Sequence, residues 1–166
     1  MKRYIDCDGV ILNTEAGLFD GYDKLKKVDL TYKRLQYLQN LDWEAWVEQA
    51  GFIGDAYEVL KFYDPSMADI LTKVHSLNEA RVKINFFRGH GIRNNIIIVP
   101  NGISKASVVN AKGNILVDDS ATNLEEWNIA EGCSIYMGKK ELSYPRIESL
   151  SEVMDDEKVK KLMLRI

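Results

Sequence analysis

The sequence predicts an α/β fold: a doubly wound, mainly parallel sheet with a small helical cap inserted after the first strand. Three observations carry this expectation. Short apolar runs recur along the chain, helical patterns lie between most of them, and about fifty helix-like residues interrupt the alternation after the first run. Most of the runs are continuous rather than alternating, as strands covered on both faces by helices require. The arrangement is Rossmann-like.

Taken in order, "RYIDC" (3–7) is the first strand. The stretch 13–65 follows, in which "LFDGYDKLKKV", "LDWEAWVEQAG" and "DAYEVLKFYDP" read as helices ended by Gly or Pro. This divides the chain into a catalytic core, 1–12 and 66–166, and a helical cap, 13–65. The second strand is "ADIL" (68–71), less apolar than an ideal central strand. In "SLNEARVKINFF", Ser76 and Glu79 have capping-box spacing, Leu77, Ala80, Ile84 and Phe87 can share an apolar face, and Gly89 and Gly91 end the helix. "NIIIV" (95–99), "NILVD" (114–118) and "CSIYM" (133–137) are the remaining strands. Near the C-terminus, "LSEVMDDEKVKKLMLRI" reads as a helix capped by Ser151 that packs on the sheet through Val153, Val159, Leu162 and Met163. Residues 138–149 show no usable pattern.

With 166 residues, 46% hydrophobic and 28% charged, the chain can bury a real core. A net charge of -3 disfavours duplex nucleic acid as a partner but not a small anionic substrate held by local groups. No apolar run is long enough to span a bilayer and "MKRYIDCDG" lacks a signal-peptide core, so the cytoplasm is the expected compartment and no membrane partner is expected. Cys7 and Cys133 lack metal-ligand spacing and read as reduced core residues.

The chemistry is expected at the carboxyl ends of the strands, where open α/β sheets bind ligands. Asp6 and Asp8 end the first strand, Thr72 the second, and Asp118 and Asp119 the strand "NILV". Residues two apart in an extended segment point the same way, so Asp6 and Asp8 can converge while Cys7 points away. If Asp118 or Asp119 joins them, the excess negative charge calls for a hard divalent cation, and Mg²⁺ suits an all-oxygen site with room for substrate phosphate. Thr72 and a lysine, Lys105 or Lys112, can supply donors to that phosphate.

This arrangement resembles the haloacid dehalogenase superfamily, specifically its phosphatases. "DCDGV" matches the family's first motif, "ADILT" its second, Lys105 in "GISKASVV" its third and "ILVDD" its acidic fourth, in order across nearly the whole chain. "ILTKVHSLNEARVK" and "ILVDDSATNLEEW" are similar to the 5′(3′)-deoxyribonucleotidase-like branch. The resemblance implies that Asp6 attacks phosphorus to form an aspartyl-phosphate that water hydrolyses, with Asp8 as acid and base. It further implies Mg²⁺ held by Asp6, the backbone carbonyl of Asp8 and one or both of Asp118 and Asp119, and phosphate bound by Thr72 and Lys105. The expected substrate is a small phosphorylated molecule, with a deoxynucleoside monophosphate first; a sugar phosphate, or ligand binding without catalysis, are the alternatives.

Several residues have plainer explanations. His75 is a lone loop histidine, and flanking carboxylates make Cys7 a poor nucleophile. Phe19, Tyr22, Trp43, Trp46 and Tyr57 could stack on a base, yet aromatics at helical spacing usually pack in cores. Asn123 and Trp127 read as structural.

Overall fold

The computed structural model describes residues 1–14 and 30–164. Among them, five strands form one sheet: β1 (Arg3–Ile5), β2 (Ala68–Val74), β3 (Ile96–Pro100), β4 (Ile115–Asp118) and β5 (Cys133–Tyr136). Their order is β3-β2-β1-β4-β5 and every pairing is parallel. The first strand is thus central, and the chain winds outward from it in both directions.

Continuous apolar runs are explained by what covers each face. On one face Ile5, Ile70, Ile115, Val117 and Ile135 pack with α2 (Trp43–Ala50), α3 (Ala56–Phe62), α4 (Leu77–Gly89), α6 (Ser151–Met154) and α7 (Asp156–Met163). On the other, Tyr4, Leu71, Leu116 and Tyr136 pack with Leu124 and Trp127 of α5 (Ala121–Ile129). Adjacent residues of a strand feed opposite cores, so both parities are mostly apolar.

Between β1 and β2 lie α1 (Leu30–Asn40), α2 and α3; α2 and α3 fall on the expected helices "LDWEAWVEQAG" and "DAYEVLKFYDP", α1 lies on a stretch for which the sequence predicts no separate helix, and the remaining expected helix, "LFDGYDKLKKV", lies outside the described residues, as do Phe19 and Tyr22. Asp42 caps α2 by accepting from the Ala45 amide at 3.1 Å. Trp43 is buried, and its indole donates to the Leu38 carbonyl at 2.8 Å. Trp46 donates to the Thr14 carbonyl at 2.8 Å, and Tyr57 packs on Phe52 with ring centroids 5.2 Å apart. These aromatics brace the inserted helices.

Two expectations need correction. The C-terminal segment is two helices, not one, because Asp155 takes an extended backbone and accepts from the Glu157 and Lys158 amides, starting α7 afresh. Ser151 does not cap; it opens α6, and the Leu150 and Ser151 amides donate to Asp55, which ties this end of the chain to the residue preceding α3. In α4 the inner face is rotated from the one expected. Leu77 is 89% exposed and Ile84 half-buried, whereas Glu79 and Lys83 lie fully inside beside Val82, Phe86 and Phe87. Two charges displace apolar residues there because they have partners in the core.

Candidate active site

The register brings the acidic residues together. Ile5 stands beside Val117 of β4 and Ile70 of β2, which puts Asp6 level with Asp118 at the carboxyl edge. Carboxylate oxygens of Asp6, Asp118 and Asp119 come within 4.8 Å of one another. All three donors are hard anionic oxygens, a set that fits Mg²⁺. The turn after β1 is shaped to make room: Gly9 has a φ of 76°, and a Cβ there would lie 2.1 Å from an Asp119 oxygen. Only glycine combines that backbone with that approach.

Lys105 lies among them. It belongs to a short 3₁₀ turn, Lys105–Ser107, and its buried ammonium sits 2.6 Å from Asp6 Oδ1 and 2.7 Å from Asp118 Oδ2. Burial alone would lower its pKa, but the charges of Asp118 and Asp6 outweigh burial and hold it above its ordinary value. Asp6 behaves oppositely. Burial, reinforced by Asp118 and Asp8, lifts its pKa to about 7 even though Lys105 pulls the other way. One ammonium therefore does not balance the cluster, and a divalent cation would relieve the remaining repulsion.

The carboxylate of Asp118 is held by its neighbours. It accepts from the Ser120 amide at 2.9 Å and from the Asn123 side-chain amide at 3.1 and 3.2 Å. Asn123 in turn accepts from the Lys73 ammonium at 2.7 Å. Asn123, expected to be structural, thus orients a site carboxylate. Trp127 does brace the fold, donating to the Asn114 carbonyl at 3.0 Å. The helix cap here is Ser120, which leaves Asp119 to the site.

Asp8 does not join the three-carboxylate group through its side chain. Its Oδ1 accepts from Thr14 Oγ1 at 2.6 Å, and its Oδ2 lies 2.6 Å from Lys83 Nζ. Burial pushes the Asp8 carboxyl up, but the Lys83 charge and the hydrogen bonds from Lys83 and Thr14 prevail and hold it below the ordinary range. Lys83 also lies 2.6 Å from Glu79 Oε1 and over the Trp43 ring at 5.2 Å. Glu79 Oε2 accepts from the His75 amide at 2.8 Å, so Glu79 reaches past the cap residue Ser76 rather than closing the expected capping box on its amide. The His75 ring lies 3.2 Å from the same oxygen.

Thr72 does not end its strand as expected, because β2 keeps pairing with β3 through Val74; it is buried within β2, with Oγ1 donating to the Lys73 carbonyl at 3.3 Å. Lys112, the second lysine considered, is placed away from the site: it is exposed, paired with Glu131 at 2.7 Å, and precedes the amino end of β4. Cys7 is buried in the core and desolvation drives its thiol well above its ordinary pKa, so it is inert. A cavity of about 1190 Å³ opens beside the acidic group, lined by Gly9, Asn13, Asp119, Lys139, Lys140 and Arg146 among others. The last three come from the stretch that carries no pattern in the sequence.

Sequence reasoning missed Lys83, Glu79 and Thr14. Their one legible signal is a Glu and a Lys four residues apart on the side of α4 that also carries Ala80 and Phe87.

No helix among the described residues is long and apolar enough to cross a membrane. No family model matches the sequence, and comparison with curated proteins finds no match. Solved structures do resemble it. A haloacid dehalogenase-like family hydrolase from Xanthomonas campestris superposes with a TM-score of 0.63 at 14% identity, covering 99% of this chain and 92% of that one. A HAD-superfamily hydrolase of subfamily IA from Geobacter sulfurreducens gives 0.59 at 13% identity over 93% and 94%. A β-phosphoglucomutase from Clostridium difficile gives 0.51 at 13% identity over 99% and 97%. The chain has the five-stranded parallel α/β fold of haloacid dehalogenase-like hydrolases.

Proposed function

We propose that this protein is a Mg²⁺-dependent phosphomonoester hydrolase that works through an aspartyl-phosphate on Asp6. The observation that carries the reading is the convergence of Asp6, Asp118 and Asp119 at strand ends, with Lys105 bridging Asp6 and Asp118. A cation held by those three carboxylates would neutralise charge on the transferring phosphoryl oxygens. Lys105 adds a fixed positive charge beside the nucleophile, and Thr72, in the carboxyl-terminal half of the neighbouring strand, is the proposed second phosphate donor. The Asp6 carboxylate attacks phosphorus, the bond from phosphorus to the leaving oxygen breaks, and that oxygen keeps the electron pair and takes a proton from solvent water. Asp8, held as a carboxylate by Lys83 and Thr14, then suits the base role better than the acid role, accepting the proton of the water that hydrolyses the intermediate.

The small substrate would place its leaving group in the adjoining cavity, where Lys139, Lys140 and Arg146 favour an anionic or strongly polar molecule. Within that class a deoxynucleoside monophosphate is preferred, on the resemblance of "ILTKVHSLNEARVK" and "ILVDDSATNLEEW" to the deoxyribonucleotidase-like branch. The likeness to β-phosphoglucomutase favours a second reading, a sugar phosphate. The inserted residues 13–65 serve in either case as a cap that shields the reaction from water.

Phosphate release from deoxynucleotides, ribonucleotides, sugar phosphates and an aryl phosphate, with Mg²⁺ and with chelator, tests the proposal. Metal-dependent release that Asp6→Asn abolishes is the expected result; no release from any of them by folded protein would refute it.

A further inference from the structure

Asp8 is tied to a distant helix by an ammonium that the proposed chemistry does not by itself require. Lys83 and Glu79 have no exposed side-chain surface, and the Lys83 nitrogen lies 2.6 Å from both Glu79 Oε1 and Asp8 Oδ2. Buried ion groups of this kind are a poor way to gain stability, since well-packed apolar residues of similar volume often do as well or better. Their worth lies in geometry. The second Glu79 oxygen accepts from the backbone amide of His75, the residue immediately after β2. A continuous chain of contacts therefore runs from Asp8 through Lys83 and Glu79 to the end of the strand that carries Thr72.

We propose that Lys83 and Glu79 are positioning residues: together they aim the Asp8 carboxylate at the water that attacks phosphorylated Asp6, in register with the phosphate-binding end of β2. This rests on the phosphohydrolase reading. In the step concerned, the water oxygen bonds to phosphorus and the phosphorus–oxygen bond to Asp6 breaks. The electron pair returns to the Asp6 carboxylate, and the water proton passes to Asp8. Thr14 alone fixes one oxygen of Asp8 and leaves the carboxylate free to turn about that contact; Lys83 fixes the other. Misaiming the base slows hydrolysis of the intermediate, whereas attack by Asp6 on a substrate with a good leaving group does not use Asp8.

The Lys83→Met/Glu79→Gln double variant removes one positive and one negative charge and so keeps the buried balance. Its kinetics on an activated aryl phosphate with Mg²⁺, with circular dichroism confirming the fold, provide the test. The expected result is a fall in kcat on the order of 100-fold while kcat/KM stays within about threefold, because kcat/KM reports only the first step. Rapid mixing should show a burst of aryl alcohol near one equivalent, and hydroxylamine should trap the acyl phosphate. A folded variant with unchanged kcat, or with kcat and kcat/KM reduced together and no burst, overturns the positioning role. If the double variant does not fold, Glu79→Gln alone is held to the same criteria. A wild type inactive on every phosphomonoester refutes the phosphohydrolase reading instead, a result distinct from either outcome with the variant.

Discussion

Replacing the central carboxylate by its neutral isostere should stabilise the metal-free protein at alkaline pH. In the fold Asp6 titrates at about 7, against 3.8 for an ordinary aspartate, chiefly because it is buried and next because Asp118 and Asp8 crowd it. Between those values the folded protein holds a proton that the unfolded chain has released. The associated stability is complete below about pH 4 and lost as pH rises through about 7. Above that, the native state carries an ionised Asp6 at a cost: roughly three pH units at about 1.36 kcal/mol each is on the order of 4 kcal/mol. Asp6→Asn has no such charge to carry, and Lys105 keeps its partner Asp118 at 2.7 Å. Urea unfolding in chelator at pH 5 and pH 8 measures the difference. The variant's advantage over wild type should be a few kcal/mol larger at pH 8 than at pH 5, and saturating Mg²⁺ should erase it by stabilising wild type alone. A variant no more stable than wild type at pH 8, or an advantage independent of pH, would show that the cluster is not short of positive charge.

Other perturbations separate the parts of the site. Lys105→Met leaves Asp6 and Asp118 without their ammonium; about 3–5 kcal/mol should be lost in chelator, as when one partner of a buried ion pair is removed, with part of it recovered by Mg²⁺ in thermal unfolding. Asn123→Leu removes both hydrogen bonds that the Asn123 amide makes to Asp118, leaving Lys105 and the Ser120 amide, and should weaken Mg²⁺ binding about 10- to 100-fold by calorimetry, the usual effect of removing a group that orients a ligand. Gly9→Ala forces a methyl group into Asp119 and strains a positive φ. It should cost about 1–3 kcal/mol in urea unfolding, and wild-type stability together with wild-type Mg²⁺ affinity would count against the close packing of that turn.

What the sequence made legible is what strand periodicity and strand ends dictate. All five apolar runs are strands within a residue or a few of their expected limits, since runs bounded by Asp, Asn and Gly have few other folds open to them. Asp6, Asp118 and Asp119 could be anticipated as a group because parallel strands deliver their carboxyl ends to one edge. The partners of Asp8 could not. Lys83 lies 75 residues from it along the chain, and in α4 the Glu–Lys spacing looks like a solvent-exposed pair until Asp8 is known to lie beneath it. The rotated face of α4 has the same origin: apolar periodicity selected Leu77 and Ile84, and tertiary ion pairing overrode it. Asn123 is singled out in the sequence but reads as structural, because its role toward Asp118 shows only when the two side chains are set beside each other.

The central strand is only three residues long, yet it pairs with both β2 and β4. Its alignment is pinned just outside its ends, by the Lys2 amide on the Asn114 side chain and the Asp6 amide on the Val117 carbonyl. A shift of one residue would exchange Asp6 with Cys7, turning a thiol toward the cation site and a carboxylate into the core. Tolerance to insertions and deletions should therefore be low here: a single residue added between Lys2 and Asp6 abolishes the site. For anyone grafting or minimising this scaffold, the spacing from Lys2 to Asp6 is the dimension that must be kept.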